Sequence, residues 1–127
     1  MANELRITNS IVYENGTLKR QYNPGTINLP QASKGVFNTA ITATTAETDL
    51  TITGIGNQGL MFLHNLESTT TGKTLNWGIK SSTNGLPDFW QLKPKQFAIV
   101  NFGSTADVVR YKAASGTLQV DVIIFEA

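Results

Sequence analysis

Apolar residues in this chain recur at every second position, and that period is what most limits what it can fold into. Leu75, Trp77 and Ile79 alternate with Thr74, Asn76, Gly78 and Lys80, and Leu118, Val120, Val122 and Ile124 alternate with Gln119 and Asp121. Alternation of this kind describes strands with one buried face, and no window carries the 3.6-residue stripe of an amphipathic helix. Leu60–Leu66 is apolar on both faces, and so are Phe97, Ala98, Ile99, Val100 and Phe102. Such strands belong in the interior of a sheet or at a subunit contact.

Turn chemistry separates the runs. Asn15-Gly16 sits between Ile11–Tyr13 and Leu18–Tyr22, a strong hairpin signal. Asn23-Pro24-Gly25 reads as a second tight turn, with Pro fixing φ and Gly accepting φ > 0. Lys93-Pro94-Lys95 divides Phe89–Leu92 from the Phe97 run, and Ala114-Ser115-Gly116 opens the last hairpin. Thr69–Lys73 and Ser81–Gly85 are longer polar loops. Short runs spaced by roughly 8–12 residues point to an all-β fold, which we read as an antiparallel β-sandwich of jelly-roll type. The pattern does not order the strands.

At 127 residues the chain is read as one domain, 1–127, whose first 30 or so residues form an N-terminal arm or edge hairpins. Charged residues make up 15% of it, against a usual value of about 25%, and Thr, Asn, Gly and Ser fill the gap. The formal net charge is +1 with the signs mixed, so no basic row is present to neutralise phosphates, and nucleic acid is not an expected partner. A surface polar through hydroxyls and amides suits packing against other protein.

The absence of cysteine excludes disulfides and thiolate metal or redox chemistry, and favours assembly in a reducing cytoplasm. The start, MANELRITNS, lacks the basic and apolar segments of a signal peptide. Apolar runs fall far short of the ~20 residues that span a bilayer, so no membrane partner is expected. Asn15-Gly16-Thr17 matches a glycosylation sequon, but a hairpin turn accounts for it better.

The motifs that could carry chemistry fail on context. Gly54-Ile55-Gly56-Asn57-Gln58-Gly59 spells GxGxxG after a strand-like run, Leu50–Thr53. A dinucleotide site needs a helix next, and Leu60-Met61-Phe62-Leu63 reads as strand. Gly72-Lys73-Thr74 resembles the end of a phosphate-binding loop, yet the first glycine of that motif would fall at Glu67. No cofactor is expected. His64 is the only histidine, with no nucleophile or orienting carboxylate signalled nearby, and it alternates with Leu60, Phe62 and Leu66. It reads as a hydrogen-bonded core or interface residue. Asp49, Asp88, Asp107 and Asp121 are scattered singly, so no metal set is expected, and the chain is read as no enzyme.

Two aromatic residues stand apart. Phe89 and Trp90 are adjacent, so in a strand they face opposite sides, and one can enter the core while the other anchors a partner. The plainer alternative packs both rings under neighbouring loops. Trp77 belongs to the core. The run Val122–Phe125, apolar on both faces, should be central in a sheet or covered by a neighbouring subunit, which favours a homo-oligomer.

Residues 50–127 resemble small virion proteins of tailed bacteriophages, of the capsid decoration or cement type. The resemblance is carried by Gly59–Leu66, Trp77-Gly78, Leu92–Ala98, Tyr111-Lys112-Ala113 and Leu118–Glu126. It implies a jelly-roll subunit, commonly a homotrimer, assembled in the host cytoplasm and located on the capsid surface of the virion. There it would bind the major capsid protein of the outer lattice and stabilise the expanded head. Similar sandwiches serve in tail fibres and tail tips, so a receptor- or carbohydrate-binding module is the alternative, with Trp90, Asn84 and Asp88 near one loop. On either reading the expected interface residues are Phe89, Trp90 and His64.

Overall fold

The computed structural model describes residues 4–30, 35–68, 73–80, 90–102 and 108–126. Every regular element among them is a strand, and the chain divides into two compact units, residues 1–34 and 35–127.

The first unit is a long antiparallel hairpin of β1 (Glu4–Asn15) and β2 (Leu18–Pro30). Its tip is one residue later than the dipeptide signal indicates: Asn15 pairs with Leu18, leaving Gly16-Thr17 as the two-residue loop. Gly16 has φ of 57°, a conformation that costs a residue without Cβ little. Asn23-Pro24-Gly25 is not a turn between strands but a bulge inside β2. From Asn9 to Ile11 the first strand advances two residues, while their partners run from Gly25 to Tyr22, three residues. The Asn23 side chain accepts the Gly25 N–H at 3.0 Å, and Gly25 takes φ of 82°. The same residue types that end a strand thus bend one here, because pairing with β1 resumes on both sides.

Among the described residues the second unit holds eight strands: β3 (Val36–Ala43), β4 (Thr48–Asp49), β5 (Gln58–Asn65), β6 (Leu75–Lys80), β7 (Trp90–Leu92), β8 (Phe97–Asn101), β9 (Val108–Ala113) and β10 (Leu118–Glu126). They form two antiparallel four-stranded sheets, in the orders β3-β10-β5-β8 and β4-β9-β6-β7. The pairings nest: β3 with β10, β4 with β9, β5 with β8 and β6 with β7. These are the rungs of one long hairpin, folded so that successive rungs fall in alternate sheets, with β10–β5 and β9–β6 closing each sheet.

The core lies between the sheets. Met61, Leu63, Leu118, Val120, Val122 and Ile124 from one meet Leu75, Trp77, Leu92, Val109, Tyr111 and Ala113 from the other. The alternating sets read from the sequence are these inward faces, with Ile79 half-buried at the margin. The two-sided runs in β5 and β10 lie inside the sheet as expected, since β10 lies between β3 and β5, and β5 between β10 and β8; the run from Phe97 does not, because β8 is an edge strand. The run expected over Leu50–Thr53 is displaced: the strand is Thr48–Asp49, and residues 50–57 form an irregular connection.

One buried polar residue ties the strand ends together. Asn65 is fully buried, donates from Nδ2 to the carbonyls of Lys73 and Leu92 at 2.9 Å each, and accepts the Glu67 N–H at 3.1 Å. Its main chain accepts from Lys95 N–H at 3.0 Å, which helps hold Lys95 at φ of 66° in the turn after Pro94. At the other end of the sheet the Glu126 carboxylate accepts the N–H groups of Gly35 and Gly56, at 3.0 and 2.6 Å. The GxGxxG stretch leads into strand β5, and its second glycine serves this internal carboxylate.

Candidate assembly surface

The strand register fixes what the outside of the β3-β10-β5-β8 sheet displays. Met61, Leu63 and Asn65 of β5 point inward, so Phe62 and His64 point outward. Ala98 and Val100 of β8 pack on the core, which sends Phe97 and Ile99 out. On β10 the outward residues between Leu118 and Ile124 are Gln119, Asp121 and Ile123. Pairing then aligns two rows across the sheet, Ile123–Phe62–Ile99 and Asp121–His64–Phe97.

The rows form an apolar, largely aromatic patch. The Phe62 ring lies 5.7 Å from that of Phe97 and 6.0 Å from the His64 imidazole, centroid to centroid, at tilted angles. Phe97 is 55% exposed and Ile99 39%. Towards β3 the surface changes to Asn38, Ala40 and Thr42, with exposed Val36 at the start of the strand, and Gln119 donates to the Thr42 hydroxyl at 2.8 Å. The aromatic rows therefore belong to β10, β5 and the edge strand β8.

The outer face of the other sheet is built differently. Val109, Tyr111 and Ala113 point inward, leaving Arg110 and Lys112 outward. The Arg110 guanidinium pairs with Asp49 and, at 3.5 Å, with Glu47; Lys112 reaches Glu47 and Lys80 reaches Asp49, each at 3.7 Å. The hydrogen bond from Arg110, more than the surrounding charge, holds the Asp49 carboxyl below its ordinary value. Burial raises the Tyr111 phenol. This sheet is finished in water.

Of the expected interface residues, His64 and Trp90 lie in different sheets. His64 lies on the outer face of the β3-β10-β5-β8 sheet, between Asp121 and Phe97. Trp90 lies in the other sheet as the register partner of Trp77, so it shares that residue's side; the two rings meet edge to face at 4.9 Å. Trp90 is still 54% exposed, a ring that covers the end of the core and leaves its other half to solvent. Phe89, Asn84 and Asp88 lie outside the described residues. Phe62, Phe97, Ile99 and Ile123 were not singled out from sequence as site residues. Their signal was the two-sided apolar runs, which sequence reading used only to place the strands.

Among the described residues no group of three or more His, Asp or Glu is arranged to hold a metal ion. Lys73, from the phosphate-loop-like tripeptide, donates to the Thr117 carbonyl at 2.6 Å. Compared with known proteins, the chain matches no family model, no curated protein and no solved structure.

Proposed function

We propose that this chain is a non-catalytic structural subunit of a virion, a decoration protein that binds the outer capsid lattice and stabilises the expanded head. The observation that carries the proposal is the apolar patch of Phe62, Phe97, Ile99 and Ile123 on the outside of one sheet, opposite a sheet whose outside is ion-paired. A contiguous exposed apolar patch marks an interaction surface. The nested pairing supports a jelly roll, in which one long hairpin wraps into two four-stranded sheets. Together with the resemblance of residues 50–127, this favours major capsid protein as the partner.

The mechanism needs no chemistry beyond association. An oligomeric subunit, a trimer on the resemblance, bridges several lattice subunits, and each contact raises the effective concentration of the next. Because it binds the assembled shell in preference to free subunits, it shifts the balance towards the shell. The apolar patch makes this attachment tolerant of salt.

Gold-labelled antibody against the chain, applied to intact virions, tests the placement. Dense label over the head is the expected result. Label confined to the tail tip would overturn it in favour of the receptor- or carbohydrate-binding reading, for which the half-exposed Trp90 is the supporting feature.

A further inference from the structure

The N-terminal hairpin has two unlike faces. Residues that are directly opposite in an antiparallel pair share a side. One side therefore carries Leu5 with Leu29, Ile7 with Ile27, Asn9 with Gly25, Ile11 with Tyr22, Tyr13 with Arg20, and Asn15 with Leu18. The other carries Glu4, Arg6, Thr8, Ser10, Val12 and Glu14 with Asn28, Thr26, Gln21 and Lys19. On this polar side the Thr8 and Thr26 hydroxyls meet at 3.1 Å, and Arg6 pairs with Glu4 and Lys19 with Glu14.

The bulge is what keeps the apolar residues of both halves on one side. In β2 the apolar residues change parity, from Leu29 and Ile27 to Tyr22 and Leu18. The extra residue at Asn23–Gly25 reverses the alternation at that point, so both halves face the same way. Without it the tip half would turn Tyr22 and Leu18 to the polar side. Sequence and register thus cooperate to put the apolar residues of both halves on one strip, interrupted at Asn9 and Gly25.

A two-stranded ribbon with one apolar side is at best marginally stable in water and needs further strands against that side. Ile11, Tyr13, Leu18, Tyr22 and Ile27 remain 47% to 64% exposed. At roughly 100 Å² open for each, and with half-buried Leu5, Ile7 and Leu29, the strip offers on the order of 600–800 Å², close to the roughly 800 Å² that one partner gives a standard interface.

We propose that the occupant of this strip is the same strip of a second copy of the chain, packed face to face with the two hairpins running in opposite directions. Two identical ribbons have the same twist and stack as the layers of a small sandwich. Direction follows from charge. Arg20, near the tip, is the only charged residue on the strip. Parallel stacking would set the two Arg20 side chains at the same level of an apolar contact, whereas opposite stacking moves each to the base half of the other hairpin and keeps the like charges apart. The ion pairs of both polar sides stay in water.

The chain has no cysteine, so single cysteines report proximity without background. Opposite stacking brings the middles of the hairpins together and places each tip on the other's base. In the full chain Ile11→Cys is expected to crosslink between copies on mild oxidation, and Leu18→Cys to crosslink with Leu5→Cys when the two are mixed. Ser10→Cys, on the polar side, should not. In sedimentation, the double variant Ile11→Asp, Tyr22→Asp should self-associate at least about tenfold more weakly, with Ser10→Asp unchanged. Circular dichroism melting of the same samples checks that the remaining strands stay folded. Efficient linking of Ser10→Cys but not Ile11→Cys would overturn the proposal. So would a parent chain that stays monomeric at about millimolar concentration, which would leave the strip to a different protein.

Discussion

The two sheets of the second unit share a core but meet the outside in opposite ways. Outside β4-β9-β6-β7, Arg110, Lys112 and Lys80 are matched by Glu47 and Asp49. Outside β3-β10-β5-β8, Phe62, Phe97, Ile99 and Ile123 stand around His64 and Asp121. Both inner faces are equally apolar, so the core does not account for the difference. Exposed ion pairs add little stability, typically 0.2–1 kcal/mol each, but they keep a face hydrated and discourage association. An aromatic outer face has the reverse property: it contributes little to the isolated fold and gains only when something covers it. The asymmetry puts the apolar outer surface on one side of the sandwich, the side to which the proposed attachment is assigned.

The comparison can be broken first by testing the core both faces share. Trp77→Ala removes a ring at 2% exposure between the sheets and is expected to cost about 3–5 kcal/mol in urea or thermal unfolding. That loss sets the scale for a residue that belongs to the fold itself. If Phe97→Ser cost as much, the outer patch would be core and the contrast would vanish.

The double variant Phe97→Ser, Ile99→Ser sharpens it. Stability should change by less than about 1 kcal/mol, while attachment to capsid heads in co-sedimentation falls about 10- to 100-fold. Undiminished attachment would remove the apolar patch from the proposed role.

The smallest effect belongs to the charged face. Asp49→Asn should cost no more than about 0.5 kcal/mol at neutral pH, since the pair is half in solvent, and should leave attachment unchanged. Because Asp49 is lowered from its ordinary 3.8, its contribution is present above that value and is lost as pH falls through the folded-state value. Below about pH 4, unfolding of the Asn variant should therefore depend less on pH than that of the parent.

Much of this architecture was legible in advance, and the failures share a cause. Leu118, Val120, Val122 and Ile124 were readable as an inward face because strand alternation is local. Trp77 was readable as core for the same reason. Asn23-Pro24-Gly25 was misread because a turn and a bulge use the same residue types, and only the pairing of β1 with both halves of β2 separates them. Gly16-Thr17 replaced Asn15-Gly16 as the loop because register, not dipeptide preference, sets the tip. The outer patch was half legible: the runs were visibly apolar on both sides, but nothing local says which second side stays open. Glu126, clamping Gly35 and Gly56, carried no signal at all, since its partners are remote in sequence.

By itself, then, the sequence determined the all-β class, the inward face of most strands and the positions where the chain must bend, because these follow from period and backbone preference within a few residues. Only the tertiary structure decided which strand joins which sheet and which outward residues become neighbours. Phe62, Phe97 and Ile123 are far apart along the chain and meet solely through the β10–β5 and β5–β8 registers. A surface of that kind is a product of non-local pairing, and a one-residue slip in either register would scatter it.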